Sequence, residues 1–580
     1  MIPKTKNSHY ILKSGSWLSL FYLATGFLFL PLAHGAIGEE AMVVTSDARA
    51  TQSALEVLQE GGNAIDALVA AQAVLNVVEP QASGLGGAGF LLFYDVGTRR
   101  VLFFDGSAQA PSRMRRDTFL QHEDLSSYKK LKTSGLAIGI PGTLKLLWEV
   151  HSRYRSGKFS FSKLLDPAIT FAEQGATVSE PLAQALKRNI AELAISPYFR
   201  DIFFNRGILV KSGASVTQTD LADTFRLIQE KGVDVFYSGE VSKAIIKKFQ
   251  KEPGDLKLLR RNDLKKYHVV KGGPLFGEYK EYGLFTAGPP SAGGVTLLAA
   301  CNILSNFSVE SFAGKAEAIF LVNEALKLSS RISRAIGDPD IFELPIEKAL
   351  SAEWTRKQVN KIHFEKAYNM PAAPGDLDEE GKARLGSSIL ILDKNGNMIA
   401  YTGTLGDPFG SAMMVPGHGF FLNDLLLDFD RFPSMLKNPD EPNTPGPNRR
   451  PKSFFAPLFV FKGSKPIFIM NVQGGRDSSA IALNMLIQFA NFKVPCEELV
   501  DVARVVNRGG IALMEQEIYN QGLWRVQLEM WGQKVEMEGS FGNGQTVCFA
   551  NDSGKIIGRT DPRKEYKFET NPSEGAAAGY

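Results

Sequence analysis

The sequence contains few of the residues from which disulfide frameworks and metal sites are built. Its 580 residues include only three cysteines, Cys301, Cys496 and Cys548. Three widely spaced cysteines make neither a disulfide scaffold nor a zinc cluster, and they allow one bridge at most. Histidine is also scarce, with seven residues and none in a recognisable Ser-His-Asp context. A hydrolase built on such a triad therefore has little support.

A large surplus of one charge is absent as well. The formal net charge is +3, and residues 1–35 contribute Lys4, Lys6 and Lys13 without any acidic residue. The rest of the chain is therefore balanced, and it lacks the basic surface by which proteins bind nucleic acid. We expect no nucleic-acid partner.

Long apolar runs are absent except near the N terminus, where residues 17–33 read WLSLFYLATGFLFLPLA. This run follows the three lysines and precedes the small residues of AHGA, which is typical of a signal peptide cut before Ala36. An uncleaved membrane anchor is the alternative, but Gly26 and Pro31 interrupt the run and favour cleavage. No later segment has the run of about 18 apolar residues that spans a membrane. The sequence predicts an exported protein, periplasmic or secreted, with signal peptide 1–35 and no membrane association after cleavage.

Residues 48–78 predict two helices separated by Gly61 and Gly62, the second with so few polar positions that we expect it to be buried. The glycines of the following SGLGGAGF fit the pattern G-x-G-x-x-G. A helix precedes this motif and the strand FLLFYD follows it, which is the reverse of the order in a dinucleotide site. We therefore expect turns and close packing there, and the sequence indicates no cofactor and no metal.

Residues 366–386 are rich in proline, glycine and charge, which is typical of a linker. The next segment, SILIL, is apolar at every position and predicts a strand buried on both faces. DKNGN predicts a hairpin turn with Asn395 and Gly396 as its two central residues, and MIAYTGT is the return strand. This register would place Ser387 opposite Thr404, so that two hydroxyl groups meet where the linker enters the sheet.

A second turn joins the predicted strand PIFIMNV to the predicted helix AIALNMLIQFA. Its Gly474 and Gly475 lie between the end of the strand and the N terminus of the helix. Backbone N–H groups at such a place, with the helix dipole behind them, suit the stabilisation of an oxyanion. An ordinary tight turn is the alternative interpretation.

Motifs spread along residues 41–580 resemble the gamma-glutamyltransferase (glutathione hydrolase) family of N-terminal-nucleophile hydrolases. In chain order they include GGNAIDALVAAQAV, EPQASGLGGAGF, GIPGTLKLLWEVH, AGPPSAGGVTL, LDKNGNMIAYTGTLGDPFG, FLNDLLLDFD, GPNRRPKS and VQGGRD. The resemblance implies an α+β fold, namely the four-layer αββα sandwich of that superfamily.

The resemblance also implies self-processing. Precursors of this family cut themselves before a threonine, whose hydroxyl becomes the nucleophile and whose α-amine becomes the base. For this chain it implies a large-subunit-like region 36–386, ending in the linker 366–386, and a small-subunit-like region 387–580, together forming one intertwined globular domain. A cut chain would be a heterodimer of its own fragments, acting on a small-molecule amide or peptide substrate.

The nucleophile position is where this sequence departs from the family. Counted without gaps from DKNGN, it falls on Gly386, which has no side-chain nucleophile. Ser387, one residue later, is therefore the candidate nucleophile, and the Gly386–Ser387 bond is the candidate cleavage site. The threonine after the hairpin matches Thr404, and the oxyanion glycines match Gly474 and Gly475.

The substrate-binding positions are changed in part. The acid that holds the substrate's α-amine matches Asp428, and the first of two paired serines matches Ser453. The second serine has become Phe454, the arginine that clamps the α-carboxylate falls on Ser107, and an asparagine of the family falls on Gly406. Losing the arginine's charge-assisted bond costs on the order of 2–5 kcal/mol of binding. We therefore expect free glutathione to be a poor substrate.

Three hypotheses follow from this pattern. In the first, the chain cuts itself before Ser387 and hydrolyses or transfers an amide or acyl group other than a plain γ-glutamyl compound, provided that a one-residue bulge brings Ser387 to the family position. In the second, it is an uncut, inactive family member that binds a ligand or partner, and Ser387 merely begins a strand. In the third, it is an ordinary glutathione hydrolase, and the alignment with the family's motifs has its gaps in the wrong places.

Overall fold

The computed structural model describes residues 35–122, 125, 127–250, 258–370, 384–431, 441–550, 554–563 and 576–580. All of the predicted signal peptide except Gly35, and positions 371–383 of the predicted linker, lie outside the described residues. Among the described residues, no helix is both long enough and apolar enough to cross a membrane.

The described elements follow one another as short strands and helices. The strands are β1 Gly35–Gly38, β2 Met42–Thr45, β3 Ala88–Asp95, β4 Arg100–Gly106, β5 Ala176–Thr177, β6 Phe204–Asn205, β7 Ile208–Leu209, β8 Ser215–Val216, β9 Val270–Gly272, β10 Leu275–Tyr279, β11 Tyr282–Thr286, β12 Leu385–Leu392, β13 Met398–Gly406, β14 Leu458–Lys462, β15 Lys465–Gln473, β16 Val505–Arg508, β17 Ile511–Met514, β18 Lys534–Met537, β19 Asn543–Phe549, β20 Ile556–Thr560 and β21 Ala576–Gly579. The helices are α1 Ala48–Gln59, α2 Ala64–Val78, α3 Tyr128–Lys132, α4 Thr143–Tyr154, α5 Asp166–Gln174, α6 Glu180–Arg188, α7 Ile190–Leu193, α8 Pro197–Phe203, α9 Thr219–Lys231, α10 Asp234–Tyr237, α11 Glu240–Phe249, α12 Arg261–Lys266, α13 Ala292–Leu304, α14 Ala316–Ser329, α15 Ile346–Ala349, α16 Ala352–Val359, α17 Ser478–Ala490, α18 Gln516–Tyr519 and α19 Gly522–Met530.

Two antiparallel sheets of seven strands form the centre of the molecule. The first has the order β1-β20-β19-β15-β14-β11-β10, and the second has the order β21-β2-β12-β13-β3-β4-β9. Both sheets contain strands from residues 36–386 and from residues 387–580. The division of the chain into two subunit-like regions remains a prediction.

Three apolar cores hold four layers together. Phe90, Leu390 and Phe459 belong to the core between the two sheets. Ile389, the neighbour of Leu390, belongs instead to the core shared by the second sheet and α1, α2 and α4. The other outer core joins the first sheet to α13, α14 and α17. Because alternate residues of a strand point to opposite faces, a strand buried on both faces is apolar throughout. The layers confirm the predicted αββα sandwich.

The two helices predicted near the N terminus are confirmed as α1 and α2. The break between them includes Gly61, whose φ of +91° favours glycine,. A capping box between Asn63 and Asp66 starts α2, and every residue of this helix is buried,. The predicted burial of the second helix is therefore also confirmed.

The predicted register of the central hairpin is wrong by one residue. The structure pairs Gly386 with Thr404, and Ser387 with Gly403. The register differs because the turn has three residues, which lie between Asp393 and Asn397. The backbone N–H of Asp393 donates to Asn397 O at 3.1 Å, and Gly396 takes a φ of +93°. Such a loop, a turn followed by a glycine bulge, replaces the expected two-residue Asn-Gly turn.

Of the three cysteines, Cys496 and Cys548 form a disulfide, with their Cα atoms 5.9 Å apart. Cys301 is buried and free. The bridge connects the segment after α17 to β19, and so it fastens the outer helical layer to the first sheet. Structural disulfides are typical of proteins that fold outside a reducing cytosol.

Candidate functional site

A recess of about 800 Å³, counted out to its open mouth, lies where β12 begins and β13 ends. It is lined by Ala88, Phe90, Ser107, Ala108, Arg384, Leu385, Gly386, Thr402, Thr404, Leu425, Asp428, Pro451, Lys452, Ser453, Phe454, Phe455, Val472, Gln473, Gly474, Gly475, Arg476 and Ser478. The fold thus brings together every predicted site position except Ser387, which does not line the recess.

Successive side chains of a strand point to opposite faces of the sheet, and this decides which hydroxyl groups face the recess. Gly386 and Thr404 are directly paired and therefore project from the same face of the sheet, the face toward the other sheet,. The hydroxyl of Thr404 donates to Leu385 O at 2.5 Å and accepts from the N–H of Gly406 at 2.9 Å. Thr404 therefore fixes the backbone just before the predicted cleavage site and the end of its own strand, β13.

Ser387 projects from the opposite face of β12, toward the helices. Its hydroxyl donates to Glu79 Oε2 at 2.7 Å and accepts from Ser83 Oγ at 2.9 Å. Its side chain is completely buried. Glu79 also accepts from Ser46 Oγ at 2.5 Å. Burial, with Asp47 nearby, raises the pKa of Glu79 to about 7 although these hydroxyl groups oppose the shift.

The bulge that would have brought Ser387 to the family position occurs elsewhere. The register shift lies between Leu385 and Gly386, and regular pairing begins at Gly386. A Cβ at Gly386 would lie 2.9 Å from Gly403 O and 2.9 Å from Thr402 Cγ2. The two strands are therefore packed closely at Gly386. A side chain at this position would fit only if the neighbouring strand β13 moved.

The glycine turn occupies the predicted place between a strand and a helix. Gly474 follows β15, and Gly475 begins a 3-10 turn, Gly475–Asp477, which runs directly into α17. Gly475 takes a φ of +53°, which favours glycine,. Arg508 forms an ion pair with Asp477 and so fixes the turn from the outside. The N-terminal end of this helix faces the recess and favours negative charge there.

The side of the recess where the resemblance places a carboxylate clamp has aromatic and hydroxyl groups in this chain. Ser107, Ser453 and Phe454 all line it. The backbone N–H of Ser107 donates to Asp105 Oδ1 at 2.7 Å. Asp105 faces the buried guanidinium of Arg450, with 3.6 Å between Oδ2 and Nε. Arg450 therefore belongs to the supporting structure and does not line the recess.

Sequence reasoning missed Arg384, the cation that contacts Asp428. Its Nε donates to Asp428 Oδ1 at 3.0 Å, and its Nη1 donates to Asp424 Oδ1 at 2.6 Å. Asp407 Oδ1 lies 3.4 Å from the same Nη1. Burial raises the pKa of Asp424, although Arg384 opposes this shift. The available signal was an arginine two residues before Gly386 together with the acidic residues of GDP and NDLLLD.

Comparisons with known proteins agree with the fold. The family model of gamma-glutamyltranspeptidase matches residues 50–570. The glutathione hydrolase proenzyme of Escherichia coli strain K12 is 31% identical over 540 residues, 91% of each chain. That of Bacillus subtilis strain 168 is 30% identical over 548 residues, 90% of each chain. The acylase ACY 1 proenzyme of Pseudomonas sp. strain SE83 is 26% identical over 491 residues, 83% of this chain and 85% of its own.

Solved structures extend the comparison. The cephalosporin acylase of Bacillus halodurans superposes with a TM-score of 0.81 at 24% identity, over 97% of this chain and 99% of its own, and so supports the fold. The gamma-glutamyltranspeptidase of Helicobacter pylori has a TM-score of 0.52 at 29% identity, over 58% of this chain and 94% of its own. The chain belongs to the gamma-glutamyltranspeptidase family.

Proposed function

We propose that this protein binds a small amide or peptide ligand in the recess and that its uncut chain does not hydrolyse it. The observation that carries the proposal is the geometry at the nucleophile position. Gly386 faces the recess without a hydroxyl group, whereas Ser387 faces the helices and is bonded to Glu79. A nucleophile must reach the carbonyl carbon of its substrate, and from its present position the hydroxyl of Ser387 is on the wrong face of the sheet.

The lining of the recess favours an amide whose acyl group ends in an apolar part. The glycine turn suits the carbonyl oxygen of an amide. Asp428, which Arg384 contacts in the uncut chain, would suit a positive group only when Arg384 is displaced,. On the carboxylate side, Ser107 and Phe454 stand at positions where the family has an arginine and a serine, and Phe90 and Phe455 lie beside them. An aromatic wall gains free energy by burying apolar surface, and these side chains lack the bidentate, charge-assisted bond that an arginine gives a carboxylate.

A second candidate function is hydrolysis after self-cleavage at Gly386–Ser387. It is favoured by the 2.7 Å contact between the hydroxyl of Ser387 and Glu79, because a carboxylate with a pKa of about 7 is a suitable proton acceptor near neutral pH,. The Oγ of Ser387 would attack the Gly386 carbonyl as its proton passes to Glu79. The C–N bond would break as the nitrogen takes up that proton, and water would hydrolyse the resulting ester.

Such a cut would free an N-terminal Ser387 that carries both a hydroxyl nucleophile and an α-amine base. The product would be a heterodimer of residues 36–386 and 387–580. Activity would also require the start of β12 to move, because the new N terminus has to turn toward the recess.

Intact mass measurement and N-terminal sequencing of the purified mature protein separate the two candidates. We expect one chain and no turnover of a γ-glutamyl anilide. Two chains, the smaller beginning at Ser387, would contradict the first candidate and support the second. Ser387→Ala should then abolish the cut, whereas Ser388→Ala, a change at the neighbouring buried serine, serves as the matched control.

Ligand preference is tested with anilides that share the amide and differ in the acyl end. We expect a phenylacetyl or other apolar acyl group to raise the melting temperature more than a γ-glutamyl group does. Preference for the γ-glutamyl compound would contradict the proposed role of Ser107 and Phe454. Introducing the family's arginine as Ser107→Arg should shift the preference toward the γ-glutamyl compound.

We also propose that the protein is exported, to the periplasm or outside the cell, with residues 1–35 removed. The N-terminal lysines and apolar run support this proposal, and so does the disulfide between Cys496 and Cys548,. Cell fractionation with N-terminal sequencing tests it, and a cytosolic protein that retains Met1 would contradict it.

A further inference from the structure

A guanidinium group of the chain itself occupies the acidic end of the recess. Arg384 contacts Asp424 at 2.6 Å, Asp428 at 2.7 Å and Asp407 at 3.4 Å. The side chain of Arg384 is only 11% exposed. Asp424 is completely buried, and its second oxygen, Oδ2, has no hydrogen-bond partner among the described residues.

The backbone provides the space that this guanidinium fills. Gly406 takes a φ of +104°, and a Cβ at this position would lie 1.8 Å from Asp424 Oδ1 and 2.6 Å from Arg384 Nη1. The resemblance places an asparagine of the family at this position. A side chain there and the contact between Arg384 and Asp424 exclude each other. Gly406 is therefore an independent sign that this end of the recess is fitted to Arg384.

The charges around the guanidinium require a cation. Near the three carboxylates are the hydroxyl of Tyr128, 2.8 Å from Asp407 Oδ2, and the ammonium of Lys132, 3.9 Å from Asp407. The guanidinium of Arg431 packs on the ring of Tyr128. Without Arg384, three buried or half-buried carboxylates would lose the cation that contacts all of them. Leaving buried charges uncompensated is costly, so an empty recess would take up another cation.

We propose that Arg384 is a built-in occupant of the ligand site: it fills the position of a ligand's cationic group and closes the recess to guanidinium and alkylammonium ligands until it is displaced. This inference rests on the proposed function, because it concerns the same recess. Asp428 is the residue that the resemblance assigns to the substrate's α-amine, and its carboxylate is already bonded in the uncut chain.

The position of Arg384 links this occupancy to cleavage. In the uncut chain, Arg384 directly precedes β12, which begins at Leu385. A cut at Gly386–Ser387 would leave Arg384 two residues before a free C terminus at Gly386, held by its ion pairs and by the contact of Thr404 with Leu385 O. Ligands with a cationic end would then compete with the new C-terminal segment that carries Arg384, because that segment could move out of the recess.

Chemical rescue tests the proposal with ethylguanidinium as the probe. Arg384→Ala should lower the melting temperature, and millimolar ethylguanidinium should restore part of the loss. Wild type and the control Arg226→Ala, which removes a surface arginine paired with Glu173 and Asp223, should not respond. Adding Asp428→Asn to Arg384→Ala should weaken the response to ethylguanidinium by about tenfold.

An equal response of wild type and Arg384→Ala to ethylguanidinium would overturn the proposal. If Arg384→Ala does not fold, Arg384→Gln keeps the first part of the side chain and a polar end but removes the guanidinium, and it permits the same comparison. The test is separate from that of the acyl ligands. Rescue without any binding of acyl anilides would count against the proposed function alone. Equal binding of an ammonium-bearing anilide by wild type and by the Arg384 variant would count against Arg384 as the occupant.

Discussion

The glycine at position 386 changes the packing of the site as well as its chemistry. Thr402 and the backbone of Gly403 approach the place where a Cβ would lie to within 2.9 Å. Contacts this short require the neighbouring strand to move. A hydroxyl group at position 386 would therefore have to be accommodated by a change in the pairing of β12 with β13.

Changing Gly386→Ser should lower the free energy of unfolding by about 1–3 kcal/mol, because the new side chain overpacks a closed strand pair. Urea denaturation measures the change. Gly273→Ser is the matched control, since Gly273 is exposed and a Cβ there meets nothing within 4 Å. The control should stay within about 0.5 kcal/mol of wild type. Equal losses in the two variants would contradict the closed geometry.

Glu79 makes the stability of the molecule depend on pH. The pKa of its carboxyl is about 7 in the folded chain against 4.5 without burial. Between these values the folded state holds a proton that the unfolded state has released, so stability falls as the pH rises from about 4.5 to 7. The loss levels off above pH 7, and it amounts to the order of 3 kcal/mol.

Glu79→Gln should therefore flatten the decline in unfolding free energy between pH 4.5 and 7. Urea denaturation at a series of pH values measures it, with Glu347→Gln as the control because Glu347 is exposed. Ser387→Ala should steepen the decline, since the hydroxyl of Ser387 stabilises the charged form of Glu79,. An unchanged slope in Glu79→Gln would contradict the assignment.

At the scale of elements, the hairpin turn decides which side chains enter the recess. Asp393 accepts hydrogen bonds from the backbone N–H groups of Asn395 and Asn397, both at 3.0 Å. These bonds favour the three-residue turn over the two-residue turn. A change of one residue in register would exchange the faces of Gly386 and Ser387.

The turn is tested by a pair of alanine substitutions. Gly396→Ala should cost about 1 kcal/mol or more, because alanine disfavours the positive φ of this residue. Asn395→Ala should cost at most about 0.5 kcal/mol, since Asn395 is exposed and its φ is not positive in this turn,. In a two-residue turn both central residues have positive φ, so a similar loss from both substitutions would favour that register.

Local sequence patterns predicted much of the fold, but they did not predict the long-range contacts in the site. The buried helix α2 and the strand β12 were predictable because each is apolar in a pattern that depends only on neighbouring residues,. The contact of Arg384 with Asp407, Asp424 and Asp428 joins segments up to 44 residues apart. No spacing rule relates such residues, and the register of the hairpin depended on one side chain, Asp393.

At the scale of the whole molecule, the two regions on either side of Gly386–Ser387 share both sheets. In the second sheet, β12 pairs with β2 on one side and with β13 on the other. In the first sheet, β14 pairs with β11 and β15. Separating the regions would expose unpaired edges in the middle of both sheets, together with the core between them. Neither region contains all the strands of either seven-stranded sheet.

Residues 36–386 and 387–580 should therefore fold only together when they are produced as two separate chains. A tag on one fragment should recover the other from co-expressing cells, and the complex should unfold in one cooperative transition. Omitting residues 36–46, and with them β1 and β2, is the matched control and should prevent recovery, because β12 and β20 would each lose a neighbour. The separate fragments should be insoluble or should lack cooperative unfolding. Cooperative folding of residues 387–580 alone would contradict the shared sheets, since that fragment would then have to bury β12 and β14 by itself.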